Sequence, residues 1–372
     1  MTLKSSLGKN LLILSAVSFL NDTSSELMGA LLPLFITELG GGALSIGLLG
    51  GLREAVSNFL KILSGYLSDR FNRKKPFVIA GYGVSALFKL LIPFSNSPSQ
   101  VVIFSSLERL GKGIRTAPRD AILSLSGKVE RNFSIHRAFD TFGALAGSLF
   151  ALFLISKVPV REALIFGALL SLLSLPLLLL IEEPKVKLKK KLKVKVESPY
   201  FKRFLFASTL FSLSYISFMF FILKGKEITG SSSSALLLYA FYNLIYALSA
   251  LLFKNFSNLT SPFKALSIGY ALFSLYLITL SLSNSIALLL VAAVLFGISS
   301  GITDAGQRSA VGLLTGRAKR GTHYGLFHFL TGTSALVGNV IVGATWSSYQ
   351  GVTLGILALL SLTSSALTFK LR

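Results

Sequence analysis

LLSLLSLPLLLLI at 169–181 runs directly into EEPKVKLKKKLKVKVES at 182–198. The first string is apolar with no in-and-out alternation. A strand that spans lipid alternates apolar and polar residues over about 10 positions. Lipid admits only helices and closed barrels, because every backbone polar group must find a partner inside the protein. The string therefore reads as the end of a membrane-spanning helix. The second string holds seven lysines between 185 and 195. Such a charge run cannot enter hydrocarbon and must lie outside it.

Similar apolar runs recur along the whole chain. A spanning helix needs about 20 apolar residues. The runs predict about twelve spans, at 10–36, 44–67, 76–94, 100–123, 134–156, 162–181, 200–223, 233–253, 264–282, 285–311, 320–346 and 350–370. Composition agrees: of 372 residues 52% are hydrophobic and 14% charged, against about a quarter charged in soluble domains. Mean hydropathy is +0.70. The fold class expected is an all-α membrane protein.

The Lys-rich stretch divides the chain into a six-helix bundle at 1–181, a cytoplasmic linker at 182–199 and a second six-helix bundle at 200–372. The linker reads either as a solvated topology signal or as a segment that binds anionic lipid. Clustered basic residues gain about 1 kcal/mol each beside an anionic membrane surface.

The net charge of +22 has a sidedness. With the N-terminus inside, 24 Lys and Arg fall on the cytoplasmic side and four, Lys157, Arg161, Lys224 and Lys226, on the other. That is the positive-inside asymmetry, and it puts both termini in the cytoplasm. The charge thus reports topology and lipid contact, and no nucleic-acid partner is expected. There is no cysteine, which removes disulfides, thiolate metal sites and thiol nucleophiles. His323 and His328, five apart, do not share a helix face, so no metal is expected, and no cofactor. Span one has no small-residue cleavage site and reads as retained.

The halves resemble each other. Shifted by 189 positions, Arg308 falls on Arg119, Ala310 on Ala121, Arg320 on Arg131 and Gly332 on Gly143. Six spans plus six, in parallel repeats, is a transporter layout with the substrate site near the bilayer midplane.

Between spans two and three stands GYLSDRFNRKK at 65–75. It resembles the signature loop of the major facilitator superfamily. Gly65, Leu67, Ser68, Asp69, Arg70, Arg73 and Lys74 match, and Asn72 stands where the family prefers Gly. Asn tolerates the left-handed backbone, which keeps the turn. The resemblance implies a cytoplasmic latch built from Gly65, Asp69, Arg70 and Arg73. In it, Asp69 would accept hydrogen bonds at a helix N-terminus, where the dipole is positive. The plain alternative is a basic loop that only sets topology. The equivalent KNFSNLTSPFK at 254–264 lacks the acidic residue, so the latch is one-sided.

ERLGKGIRTAPRDAIL at 108–123 closes span four. Arg109 followed by Gly113 resembles the superfamily's span-four arginine motif, tied in its exporters to proton transfer. GKGIRTAPRDA, IHRAFD at 135–140, FLNDTSSELMGALLPLF at 19–35 and ITDAGQRSA at 302–310 resemble one prokaryotic subgroup. The implied location is a prokaryotic cell membrane. The exporters' span-five pattern is present only as Gly143 and Gly147, without its proline.

A charge at mid-bilayer costs about 2.5–3.5 kcal/mol on insertion scales, and such groups default to function. At about 1.5 Å per residue, Asp22, Arg53, Glu54, Glu108 and Arg109 all lie near mid-depth, with Glu26 one turn beyond Asp22. Asp22 is the candidate proton carrier or substrate counter-ion; the bland alternative is an ion pair with Arg53 or Arg109. Lower in span four, Lys112, Arg115 and Arg119 follow at spacings of three and four and form one stripe, with Asp120 beside it. Arg137 and Asp140 of span five share a face. This cytoplasmic-side network reads either as a salt-bridge lock or as an anion path or gate. In the second half Asp304, Gln307 and Arg308 form the main polar stripe.

GxxxxGK[ST] is absent, which argues against ATP drive. No HExxH or Ser-His-Asp layout points to an enzyme. The expected function is a secondary transporter working by alternating access, proton-coupled, with export of a small organic solute favoured. Uptake of an anionic solute is the alternative, and a non-transporting sensor or scaffold is the alternative of another class. The monomer is the expected working unit.

Overall fold

The computed structural model describes residues 3–71, 73–124, 129–183, 199–259, 261–315 and 320–371. The leucine-rich string of 169–181 takes a reversed arrangement in it. Ser171 and Ser174 are buried, while Leu173 and Leu179 are 64% and 68% exposed. A water-soluble protein buries its large apolar residues and exposes polar ones. Leucines outside and serines inside mean that the surrounding solvent is lipid.

The elements are α1 (Leu3–Glu38), α2 (Ala43–Arg70), α3 (Lys75–Leu91) with a 3-10 turn at Ile92–Phe94, α4 (Pro98–Ser124), α5 (Val129–Ile155), α6 (Val160–Leu173), α7 (Leu175–Leu179), α8 (Pro199–Ser214), α9 (Phe218–Thr229), α10 (Ser232–Leu259), α11 (Pro262–Leu282), α12 (Ile286–Leu314) and α13 (Arg320–Phe369). No strand occurs among the described residues. Among the described residues eight helical stretches are long and apolar enough to cross a membrane. One, within α13, is two spans joined at Tyr349, where φ is −134° and ψ 26°. The helices α1, α2 and α4 fall outside the eight, because they carry the charged candidates. Counting them restores the twelve spans read from the sequence.

Two compact units form. The first holds Met1–Gly40 and Val56–Lys190, the second Gly41–Ala55 and Lys191–Arg372. By packing, the start of α2 therefore groups with the second unit, although it precedes the linker in chain order.

In the first unit α1 packs closely on α5, and α3 on α4. Glycines permit both contacts. A Cβ at Gly143 would stand 2.7 Å from the Phe19 carbonyl oxygen, and one at Gly147 would run into the Thr23 carbonyl oxygen. Between α3 and α4, Gly111 lies against the Gly81 carbonyl, and a Cβ at Gly81 would meet Arg115 at 2.7 Å. The lower part of α2 joins them: Ser64 Oγ donates to the Gly113 carbonyl at 2.8 Å, and Gly65 sits against Ala117.

In the second unit span seven is broken. Between α8 and α9, Tyr215, Ile216 and Ser217 leave the helix. Backbone groups freed inside a bilayer need protein partners. Asn339 of α13 supplies two: its Oδ1 accepts from Ser217 N at 2.7 Å and its Nδ2 donates to the Tyr215 carbonyl at 3.2 Å. Replacing Asn339 by Leu strands both groups, at a cost of about 1–3 kcal/mol. The expected result is a lower melting temperature for the purified protein in detergent. An unchanged melting temperature would show that the break is held by other groups.

Candidate functional site

Ser18 and Asp22 sit one turn apart on α1, toward α5. The Ser18 hydroxyl donates to Asp140 Oδ1 at 2.6 Å and lies 3.5 Å from Asp22 Oδ2. Arg119 Nη1 of α4 donates to the same hydroxyl at 3.3 Å. Arg119 also pairs with Asp120 at 3.0 Å. From α5, His136 Nε2 stands 3.6 Å and Arg137 Nη1 3.9 Å from Asp140. His136 is buried, whereas the Arg137 side chain is half exposed. Lys112, Arg115 and Arg119 attract Asp22 electrostatically, and Asp140 repels it. The network expected between spans four and five thus includes span one as well. Two carboxyl groups thus gather about one hydroxyl.

The span-four stripe divides. Arg119 turns to α1, but Arg115 turns to α3, where Nη1 donates to Ser85 Oγ at 2.9 Å and the guanidinium lies 4.3 Å over the Tyr82 ring. Long guanidinium side chains at a spacing of four reach different neighbours even from one face. Glu108 accepts from Ser85 Oγ at 3.0 Å, and Arg109 pairs with Glu108 at 3.2 Å. Arg109 thus has an ion-pair partner within α4. Glu26 is half-buried one turn past Asp22, with its Cβ 2.9 Å from where a Gly147 Cβ would stand. Arg53 is buried and Glu54 exposed. Both belong to the second unit, so depth alone did not tell which helices they serve.

The second unit has its own polar set. Arg308 Nη2 donates to Asp304 Oδ1 at 2.7 Å, and the Tyr246 hydroxyl to Asp304 Oδ2 at 3.2 Å. Gln307 Nε2 donates to the Tyr270 hydroxyl at 2.9 Å. Around them stands an aromatic wall. Phe211 stacks on Tyr270 at 3.9 Å, Tyr242 on Phe296 at 4.3 Å and Tyr276 on Phe296 at 4.4 Å. The spacing of Tyr239, Tyr242 and Tyr246 in α10 hints at such a face, but apolar counting does not separate it from core.

Of the signature loop, Arg70 and Arg73 are exposed. The Asp69 side chain and Asn72 lie outside the described residues, as do residues 184–198 of the linker. Among the described residues the carboxylate at the N-terminus of α3 is that of Glu183, which accepts from Lys74 N at 2.6 Å and Lys75 N at 2.8 Å. Its neighbour Glu182 is clamped to α1, exchanging two 2.9 Å hydrogen bonds with Asn10. Sequence reasoning took both glutamates as the start of the linker. It also passed over Lys89, a buried lysine in the otherwise apolar span three. Its signal was plain: a single lysine in a span free of other charge.

No group of three His, Asp or Glu residues placed to hold a metal occurs among the described residues. Buried charged groups among lipid-facing helices define a polytopic membrane protein. The family model described as Major Facilitator Superfamily matches residues 14–225, and the chain belongs to that superfamily. It is 39% identical over 356 residues to an uncharacterised MFS-type transporter of Methanocaldococcus jannaschii, covering 91% of this chain and 89% of that one. Over a 118-residue stretch, 31% of this chain and 29% of the other, it is 32% identical to a multidrug resistance protein, MdtH, of Yersinia pestis. The crystal structure of the nucleoside transporter NupG superposes with a TM-score of 0.79 at 16% identity, covering 98% of this chain and all of that one; this likeness is one of fold. The protein is an integral multi-pass transporter that takes a small-molecule substrate.

Proposed function

We propose that the protein is a secondary transporter that exports a small organic solute in exchange for protons, by alternating access. The observation that carries this is the placement of Asp22 and Asp140 about the Ser18 hydroxyl, with Arg119 donating to the same oxygen. A carboxyl pair in an apolar bundle resists holding two charges at once, while a guanidinium favours them. Movement of Arg119 relative to the pair then exchanges a proton for a change of shape. Glu26, Glu108 and Arg109 extend this set. The partial similarity to a multidrug resistance protein favours the export direction.

Uptake of an anionic solute is the second reading, favoured by the run of Lys112, Arg115 and Arg119 along α4. The Asp304, Gln307 and Arg308 stripe would meet the solute from the second half. Gly65, Asp69, Arg70 and Arg73 would act as the conformational latch, and the Lys-rich linker would rest on anionic head groups.

The test is flux in proteoliposomes under an imposed pH gradient, with a panel that includes nucleosides, lipophilic cations and small organic anions. The expected result is movement of at least one panel solute accompanied by protons in the opposite direction. Solute flux that ignores the gradient would sink proton coupling. Proton and solute movement in the same direction would replace exchange by symport.

A further inference from the structure

The polar string NDTSSE of α1 is divided between two faces. Asn21, Ser24 and Ser25 turn to α3 and α6, whereas Ser18 and Asp22 turn to α4 and α5. Lys89 of α3 stands at the first face, 1% exposed. Its Nζ lies 2.9 Å from Ser25 Oγ, 3.0 Å from Ser24 Oγ, 3.2 Å from Asn21 Oδ1 and 3.3 Å from the Asn21 carbonyl oxygen. An ammonium has three protons and accepts nothing, so all of these groups must act as acceptors.

The surroundings fix that polarity. Ser24 gives its own proton to the Gly167 carbonyl of α6 at 2.6 Å, which leaves its oxygen to accept from Lys89. Asn21 Oδ1 also receives the Ser171 hydroxyl of α6 at 3.4 Å. Turning the amide over would aim its NH2 group at the ammonium. The amide is held in the orientation that leaves Nδ2 buried without a hydrogen-bond partner among the described residues. A buried donor is left unmet so that the Lys89 contact can be kept. Gly167 is pressed against α1 as well, since a Cβ there would meet Met28 at 2.6 Å.

Neighbouring residues on a helix point about 100° apart. A grip on Asn21, Ser24 and Ser25 therefore sets where Asp22 points. We infer that Lys89 is a positioning residue for Asp22: by tethering one face of α1 to α3 through its long side chain, its ammonium fixes the rotation that brings Ser18 and Asp22 to Asp140 and Arg119. The inference rests on the reading of Asp22 as the proton-carrying group. The charged and titratable groups facing Asp22 are Lys112, Arg115 and Arg119 from α4 and Asp140 and His136 from α5, with Glu26 following on α1. Lys89 is separate from that set and acts through the helix backbone.

The test uses the full chain in liposomes and needs no solute. Dicyclohexylcarbodiimide reacts with protonated carboxyls in apolar surroundings, and its attachment to Asp22 is read by peptide mass spectrometry across a pH series. Asp22→Asn identifies the labelled peptide. Lys89→Met is expected to move the midpoint of labelling by about one pH unit, a tenfold change in proton affinity. Lys89→Arg, which keeps a cationic donor, restores most of it. Should Lys89→Met not fold, the pair Ser24→Ala with Ser25→Ala removes two acceptors, keeps the cation and is expected to move the midpoint as well. A folded Lys89→Met protein whose labelling midpoint matches the wild type overturns the inference, as does an unmoved midpoint in the serine pair. Neither outcome touches the exchange reaction itself, which is tested by wild-type flux under an imposed pH gradient; proton-driven flux retained in Asp22→Asn would remove Asp22 from that reaction.

Discussion

Asp22→Asn abolishes proton-driven flux while the variant folds and inserts at the wild-type level. The amide has the volume of the carboxyl, and the close Ser18 to Asp140 hydrogen bond of 2.6 Å does not involve residue 22. Packing and the α1 to α5 contact therefore survive. What disappears is a group that can gain and lose a proton beside Arg119. Proton transfer through a positioned side chain contributes roughly a hundredfold or more to the steps that depend on it, and intramembrane carboxyls serve as relays. The expected loss is of that order in gradient-driven flux, with solute exchange in the absence of a gradient retained. The measurement is paired: flux with and without an imposed pH difference, on protein whose melting temperature has been checked. Undiminished gradient-driven flux would remove Asp22 from the coupling step and leave Asp140 as the carboxyl to examine.

Gly147→Leu prevents the folded protein from accumulating. A Cβ at this position runs into the Thr23 carbonyl oxygen, and would lie 2.9 Å from the Glu26 Cβ and 3.1 Å from Leu27 N. These are backbone and near-backbone atoms that cannot swing away, so α5 must separate from α1. Overpacking in a tight interior costs about 1–3 kcal/mol for added methylenes and more where backbone must shift. The interface lost would be the one that seats Ser18 and Asp22 against Asp140. Gly147→Ala is expected to give an intermediate melting temperature. Gly83→Ala is the control, since nothing lies within 4 Å of its Cβ position; a helical Gly to Ala change in open space is neutral or stabilising. A Gly147→Leu protein with wild-type yield and melting temperature would mean that the helices do not approach as closely as the structure places them.

Span count was legible because it follows from local chemistry: apolar runs of bilayer length. The family was legible from GYLSDRFNRKK. The site was legible only as a list of residues at certain depths. Asp22 and Asp140 are 118 positions apart in the chain, and nothing in either segment says that Ser18 joins them. Arg115 and Arg119 share a face by spacing, yet one reaches Ser85 on α3 and the other Ser18 on α1.

Apolar runs of bilayer length and the signature loop were sufficient to establish a twelve-span helical transporter with charge buried in its first half. Each of these signals is local, and the bilayer penalises any violation of it strongly enough to leave a trace in composition. The rotation of each helix was a matter for the tertiary structure, because a span that is apolar on most sides carries little periodic signal. Rotation decides whether Asp22 meets Arg109 or Asp140, whether Arg115 belongs to the gate or to the α3 contact, and whether Lys89 faces lipid or the α1 serines. Those choices were made by glycine contacts and by buried hydrogen bonds between helices distant in sequence, which no single segment contains.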